Sequence, residues 1–205
     1  MATVVILHTN DIHGHLTAWK GWKGDLTDNP VGEGGGFGRL AGAVARARKE
    51  SKDTLLLDAG DLLGDSMIAN LTEGKKAMVE ALNHLGYDAL AIGNHEPDFG
   101  TAVLRQRMKD AAFTVVAANL IERKGSNLFA KPFVVKRAGG VAGGILGLAY
   151  AKSAWTTAAK NVADVEFQDP VPAVKHYLSK MRDDGAELVV ILSHLGAGGD
   201  NVEPG

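Results

Sequence analysis

Short apolar runs alternate with amphipathic stretches along this chain. Val4 to Leu7, Thr54 to Leu57, Ala89 to Ile92, Phe113 to Val116 and Leu188 to Leu192 are rich in branched side chains and bounded by glycine or polar residues. That is how strands buried on both faces read. Between them, Leu40-Val44-Ala47, Met78-Val79-Leu82-Leu85, Val103-Leu104-Met108 and Val171-Val174-Leu178-Met181 recur at the spacing that gathers apolar side chains on one helix face. The alternation predicts an α/β fold. Phe133 to Leu148, FVVKRAGGVAGGILGL, sets paired glycines between two β-prone runs and predicts a hairpin, hence a second sheet. Gly21 to Gly38 is glycine-rich among Lys, Asp, Asn and Pro and reads as a loop. GGFGRLA, Gly35 to Ala41, spells GxGxxA, but a loop and not a strand precedes it, so it reads as a helix start rather than a dinucleotide fingerprint.

Composition narrows the function classes. The 205 residues, 45% hydrophobic, suffice for one large domain. A formal charge of -2 with scattered Lys and Arg offers no basic face for a nucleic-acid polymer. With no cysteine, a disulfide framework, a thiolate zinc site and a thiol nucleophile are all excluded. No apolar run approaches the roughly 20 residues that span a bilayer, and no signal-peptide pattern precedes the first strand.

Four of the five apolar runs are followed by chemistry-bearing residues. The first leads into HTNDIHGH with Asp11 and His13, the second into Asp58-Ala59-Gly60-Asp61, the third into Gly93-Asn94-His95-Glu96-Pro97-Asp98, and the last into Ser193-His194. In open α/β sheets ligands collect beyond the carboxyl ends of strands, so these four groups should share one crevice. Asp11 and His13, one residue apart, fall on the same side of an extended segment and offer one ion an oxygen and a nitrogen. The two oxygens of Asp61 could bridge two cations, with Asp58 in DAGD as its alternative. Asn94 and His194 offer a carbonyl oxygen and a nitrogen to a second cation. Such mixed sites suit Zn, Mn, Fe or Co better than Ca or Mg. Two cations about 3.5–4 Å apart suit phosphate-ester hydrolysis, because they acidify a water and neutralise phosphoryl oxygens. His95 and Asp98 are spaced so that the carboxylate can orient the imidazole.

The series LHTNDIHGHL, GGFGRLAG, LLLDAGDLLGDS, IGNHEPDFG, AANL and ILSHLG resembles the catalytic domain of the secreted 5′-nucleotidase family, within the calcineurin-like metallophosphoesterases. The motifs match in order over essentially the whole chain. The resemblance implies a four-layer α/β/β/α sandwich with a dimetal site, acting on nucleoside 5′-monophosphates or related phosphoesters in a periplasmic or extracellular setting. It implies that Asp11 and His13 hold the first metal, Asp61 bridges, Asn94 and His194 hold the second, and His95 with Asp98 forms the catalytic dyad. Asp58 then becomes a supporting residue. Relatives acting on 2′,3′-cyclic nucleotides, nucleotide sugars or sulfur esters share the implied site, and a non-catalytic metal-binding fragment is the reading from another class.

Three departures accompany the resemblance. The family continues past S-H-L-G to a G-G-H-S-H-like motif that completes both metal sites, and the chain ends at Gly205 before one. The expectation is therefore an incomplete catalytic domain over residues 1–205, without the nucleotide-binding C-terminal domain. Pro97 stands where the family usually has an aromatic residue. Elsewhere structural roles are expected: Glu96 and Asn119 in turns or caps, His8 ending a strand inside the fold, His15 serving its loop, His84 and His176 solvated, Arg39 at the surface, and Trp19, Trp22 and Trp155 in packing.

Overall fold

The computed structural model describes residues 2–20, 33–64, 71–72 and 75–196. Most of the Gly21 to Gly38 loop, and with it Trp22, lies outside them. The first apolar run forms β1 (Val5–Thr9), and a short ladder of β2 (Trp19–Lys20) with β3 (Glu33–Gly34) precedes α1 (Phe37–Glu50). Next come β4 (Thr54–Asp58), α2 (Lys76–Leu85), β5 (Ala89–Ala91), α3 (Thr101–Asp110) and β6 (Thr114–Val116). The first four apolar runs pair as a parallel sheet in the order β1-β4-β5-β6, as strand-helix-strand units require. Thr9 lies opposite Asp58 and Asp58 opposite Leu90, so the loops leaving these strands emerge along one edge.

The second half builds the second sheet. Following β7 (Leu120–Glu122), β8 (Phe133–Ala138) and β9 (Val141–Leu148) form the expected antiparallel hairpin. Gly139 and Gly140 make its turn at φ 59 and 78, which a two-residue turn with both central residues left-handed requires. The chain then passes through α4 (Ser153–Thr156) and β10 (Val165–Phe167), which pairs with β7. It continues through α5 (Pro170–Asp183), capped by the Asp169 carboxylate on the Val171 amide at 2.9 Å. β11 (Leu188–Ser193) returns parallel to β9 and completes the order β11-β9-β8.

Side-chain alternation makes four layers. Leu56, Leu90, Ile92 and Val115 face Val44, Met78, Leu82 and Leu104 of the helices. On the opposite face Leu55, Leu57, Ala89 and Val116 pack on Ile145 and Leu192 of the second sheet. The outer face of that sheet, with Leu146 and Leu148, lies under Met181, Val174 and Tyr177 of α5. Only part of the predicted α5 stripe is covered, since Val171 and Leu178 remain exposed. Among the described residues no helix is long and apolar enough to cross a membrane.

Among the described residues both β1 and β11 are sheet edges, and the loops that leave them meet at Asp61. Ile6 and Ile191 stay 38% and 44% exposed. A crevice of about 680 Å³ runs past Ile6, His8, Leu57, Val190 and Leu192 and ends at Asp11 and His194. His8 does occupy β1, as expected, but its side chain is exposed rather than interior. Alternation turns His8 with Ile6 toward the second sheet, where both line this crevice.

Candidate metal centre and catalytic dyad

The segment leaving β1 is not extended. Asp11, His13 and Asp61 have φ of 53, 46 and 56, the left-handed region, where a residue with a side chain carries roughly 1–3 kcal/mol of strain. The cause is a docked pair of loops: the Asp11 amide donates to Gly60 O at 2.9 Å, His13 to Asp61 O at 2.9 Å and Gly14 to Leu62 O at 3.0 Å. This corrects the expectation that alternation along an extended strand brings Asp11 and His13 together. They do converge, with His13 Nε2 3.3 Å from Asp11 Oδ1, because both are held left-handed against the β4 loop.

Asp61 sits at the middle of the cluster, its side chain only 4% exposed. Its Oδ2 is 3.2 Å from His194 Nε2 and 3.9 Å from His13 Nε2, and its Oδ1 accepts from the His95 amide at 2.8 Å. Two sets of donor atoms gather within 4.8 Å: Asp11, Asp61 and His194 in one, His13, Asp61 and His95 in the other. Asp61 is common to both. Asp11 therefore lies within reach of both His13, its neighbour in the sequence, and His194. Asn94 lies half-buried on the same loop, between Gly93 and His95.

Electrostatics follow from these contacts. Burial pulls His194 down, but the hydrogen bond to Asp61, aided by the charges of Asp61 and Glu96, wins and pushes it up to about 9. Burial opposes the charge on Asp61, yet the contact with His194 and the His95 amide hold it below the usual carboxylate range. His194 Nδ1 stands 3.0 Å from Ala59 O. Donation to that carbonyl directs Nε2 toward Asp61.

The dyad spacing closes as expected: His95 Nδ1 is 2.7 Å from Asp98 Oδ2. Burial lowers His95, and the hydrogen bond to Asp98 together with the charges of Asp61 and Asp98 more than offsets this, leaving it above its ordinary value. Thr157 Oγ1 donates to Asp98 Oδ1 at 3.0 Å, and Asn161 Nδ2 to the Asp98 carbonyl at 2.5 Å. The His13 and His95 rings meet edge to face, centroids 5.1 Å apart, so the dyad abuts the carboxylate and imidazole cluster.

The family model for calcineurin-like phosphoesterases matches residues 4–205. The chain belongs to the calcineurin-like phosphoesterase family. A probable 5′-nucleotidase of Treponema pallidum is 30% identical over 94% of this chain and 32% of its own length. A 2′,3′-cyclic-nucleotide 2′-phosphodiesterase/3′-nucleotidase of Haemophilus influenzae is 28% identical over 98% of the chain and 32% of its own length. The crystal structure of a 5′-nucleotidase precursor from Thermus thermophilus superposes with a TM-score of 0.82 at 30% identity, covering 94% of this chain and 37% of that one. The chain spans about a third of the length of the curated relatives it matches. Calcineurin-like phosphoesterases use divalent metal ions, and the Asp and His donors gathered around Asp61 suit such ions.

The candidate site has supports that the sequence did not disclose. Glu96, expected in a turn or cap, is fully buried: Oε2 accepts from the Asp61 and Gly93 amides at 2.9 and 2.6 Å, and Oε1 from Leu62 and Leu63 at 2.9 and 3.2 Å. One carboxylate thereby fastens the β4 loop to the β5 loop. Gly93 must be glycine, because a Cβ there would strike the Asp61 carboxylate; a Cβ on Gly64 would likewise strike His13. Glu96→Ala would strand four buried amides, each costing about 1–3 kcal/mol, so the variant should lose most of its stability. Thermal unfolding by circular dichroism checks this, and a melting temperature close to wild type would mean that water takes over those amides.

Asp58 behaves as a supporting residue, accepting from Thr9 Oγ1 at 2.6 Å and the Gly60 amide at 2.8 Å. Burial raises it to about 7. Asn119 lies in a turn, as expected, and is buried there, bonded to Ala149 and the carbonyl of Gln168. Trp155 is 72% exposed, which overturns the packing expectation: its four-residue helix lies at the surface, with Lys152 over the ring. His84 and His176 are exposed, as expected, and Arg39 holds the Gly35 carbonyl at the surface.

The raised groups give a pH signature. Unfolded, Asp58 releases its proton near 3.8 and His194 near 6.5, whereas folded they release near 7 and 9. Stability of the metal-free chain from these two groups therefore falls as pH rises through both windows. Asp61 has the opposite sign, contributing above 3.8 and losing its contribution on acidification. In chelator, the melting temperature should decline from about pH 5 to about pH 9. Excess divalent metal should reverse that slope, because the ion competes with the proton on His194. A melting temperature in chelator that climbs over this range would contradict these shifts.

Proposed function

We propose that this chain carries the active site of a metal-dependent phosphomonoesterase of the 5′-nucleotidase type, acting on nucleoside 5′-monophosphates. The observation that carries the reading is Asp61, shared by two donor groups directly beside the hydrogen-bonded His95–Asp98 pair. In this reading Asp11, His13 and Asp61 hold one divalent cation, and Asp61, Asn94 and His194 the other, with Zn, Mn, Co or Fe suited to the donors. Bound cations supply neutralisation of the phosphoryl oxygens and activation of water for in-line attack. The chain's own residues do the rest. Asp98 accepts from Nδ1 of His95 and so fixes the ring with Nε2 toward the cluster. The Asp98 hydrogen bond shifts His95 toward its protonated form, and the proton at Nε2 is the one donated toward the phosphoryl or leaving oxygen. Glu96 and Gly93 keep the Asp61 carboxylate where both donor groups can use it.

The Haemophilus influenzae relative supports a second reading, in which the same site opens a 2′,3′-cyclic nucleotide. A panel of AMP, 2′,3′-cyclic AMP and p-nitrophenyl phosphate with Mn²⁺, Co²⁺ or Zn²⁺ separates the two. The expected result is release of phosphate from AMP in preference to ring opening, abolished by chelator. Preferred turnover of the cyclic nucleotide would favour the second reading, and metal uptake without any turnover would favour a non-catalytic metal-binding fragment.

A further inference from the structure

We propose that Lys75 is a positioning residue of this site, whose ammonium ties the β4 loop, the β5 loop and the Asp98 carboxylate into one arrangement that holds His95 in its working orientation. The inference rests on His95 and Asp98 being the dyad of the proposed phosphoesterase.

Lys75 immediately precedes α2 at φ 72, a left-handed conformation that suits glycine and burdens any side chain. Lysine is rarely buried without partners, yet this side chain is 1% exposed. Its Nζ donates to the carbonyl of Leu63 and, at 3.2 Å, to that of His95, and stands 3.4 Å from Asp98 Oδ2. The ammonium has three donors, and each meets an acceptor. The Phe99 ring covers it, centroid 5.0 Å from Nζ. A strained backbone and a buried charge together persist only where the surroundings over-determine them, and they concentrate at functional sites.

The contacts state what the amine does. Asp98 Oδ1 is held by Thr157 Oγ1 at 3.0 Å, while Oδ2 meets both His95 Nδ1 at 2.7 Å and Lys75 Nζ. The carboxylate plane is thus gripped from both ends. Without Lys75, the Oδ2 end keeps only the imidazole that it is supposed to orient, and the Leu63 and His95 carbonyls lose their common donor. The cation also offsets the acidic groups crowded there, Asp61, Glu96 and Asp98.

Two variants separate this role from simple packing. Lys75→Met keeps the length and removes the charge; Lys75→Gly suits the left-handed backbone and leaves a channel shaped for an alkylamine. In the Zn²⁺-loaded chain, the proton shared by His95 Nδ1 and Asp98 should give a downfield proton resonance, identified by its loss in His95→Gln. It should vanish or broaden in both Lys75 variants while far-ultraviolet circular dichroism is unchanged; its persistence in both would overturn the proposal. In turnover of p-nitrophenyl phosphate with Mn²⁺, kcat should fall roughly 10- to 100-fold with KM and metal stoichiometry preserved. Added n-butylamine should restore part of kcat in Lys75→Gly. An unchanged kcat, or a loss that no amine restores, counts against Lys75. Should the wild-type chain turn over nothing, the phosphoesterase reading fails by itself, and the proton resonance still decides on Lys75.

Discussion

Asp61→Ala is expected to remove bound metal and hydrolysis together. Both donor groups include this carboxylate, so its loss takes an anionic ligand from each ion, which should cost several kcal/mol of metal affinity at each position. It also leaves His13 and His194 without the oxygen that each now faces at 3.9 and 3.2 Å. Collapse of the fold should not be the cause, because the Asp61 amide keeps its bond to Glu96. Asp61→Asn sharpens the test, since it retains an oxygen for the His95 amide and loses only the charge. Elemental analysis and calorimetry read the outcome, and two ions retained in Asp61→Ala would remove this residue from the bridging role.

His95→Ala should lower turnover by about 10²–10⁴-fold while metal content changes little, the range for a positioned proton donor or charge stabiliser. The ring's Nδ1 is engaged by Asp98 at 2.7 Å, so metal retention with lost rate separates a dyad member from a ligand. This matters because His95 also falls within one of the two donor groups. Asp98→Ala should cost less, for Asp98 acts only through the imidazole, and the double variant should be little worse than His95→Ala alone. Additive losses would show that the two residues do not work as a pair.

The sequence by itself determined whatever depends on neighbouring residues. Four- and five-residue branched runs and three-to-four spacing specified strands and helices, because burial of one face must follow the period of the backbone. Gly139-Gly140 specified the hairpin, since a two-residue turn needs residues free to adopt positive φ. The three-residue spacing of His95 and Asp98 specified their contact, and the polar residues after four of the runs marked the edge where the Asp and His donors gather.

Only the tertiary structure decided what depends on distant partners. Asp11 and His13 are left-handed because their loop docks on Gly60 and Asp61, and His194 joins them because the loops after β1, β4 and β11 meet at Asp61. Glu96 looks like any acid before a proline until four amides of two loops are seen to converge on it. Lys75 looks like one of two adjacent helix-start lysines until its backbone angle and its burial are known. His8 and Ile6 read as interior strand residues, yet they line the crevice between β1 and β11. In each case the energy comes from desolvation and hydrogen bonding between segments far apart in the chain, and no local spacing encodes which segments will meet.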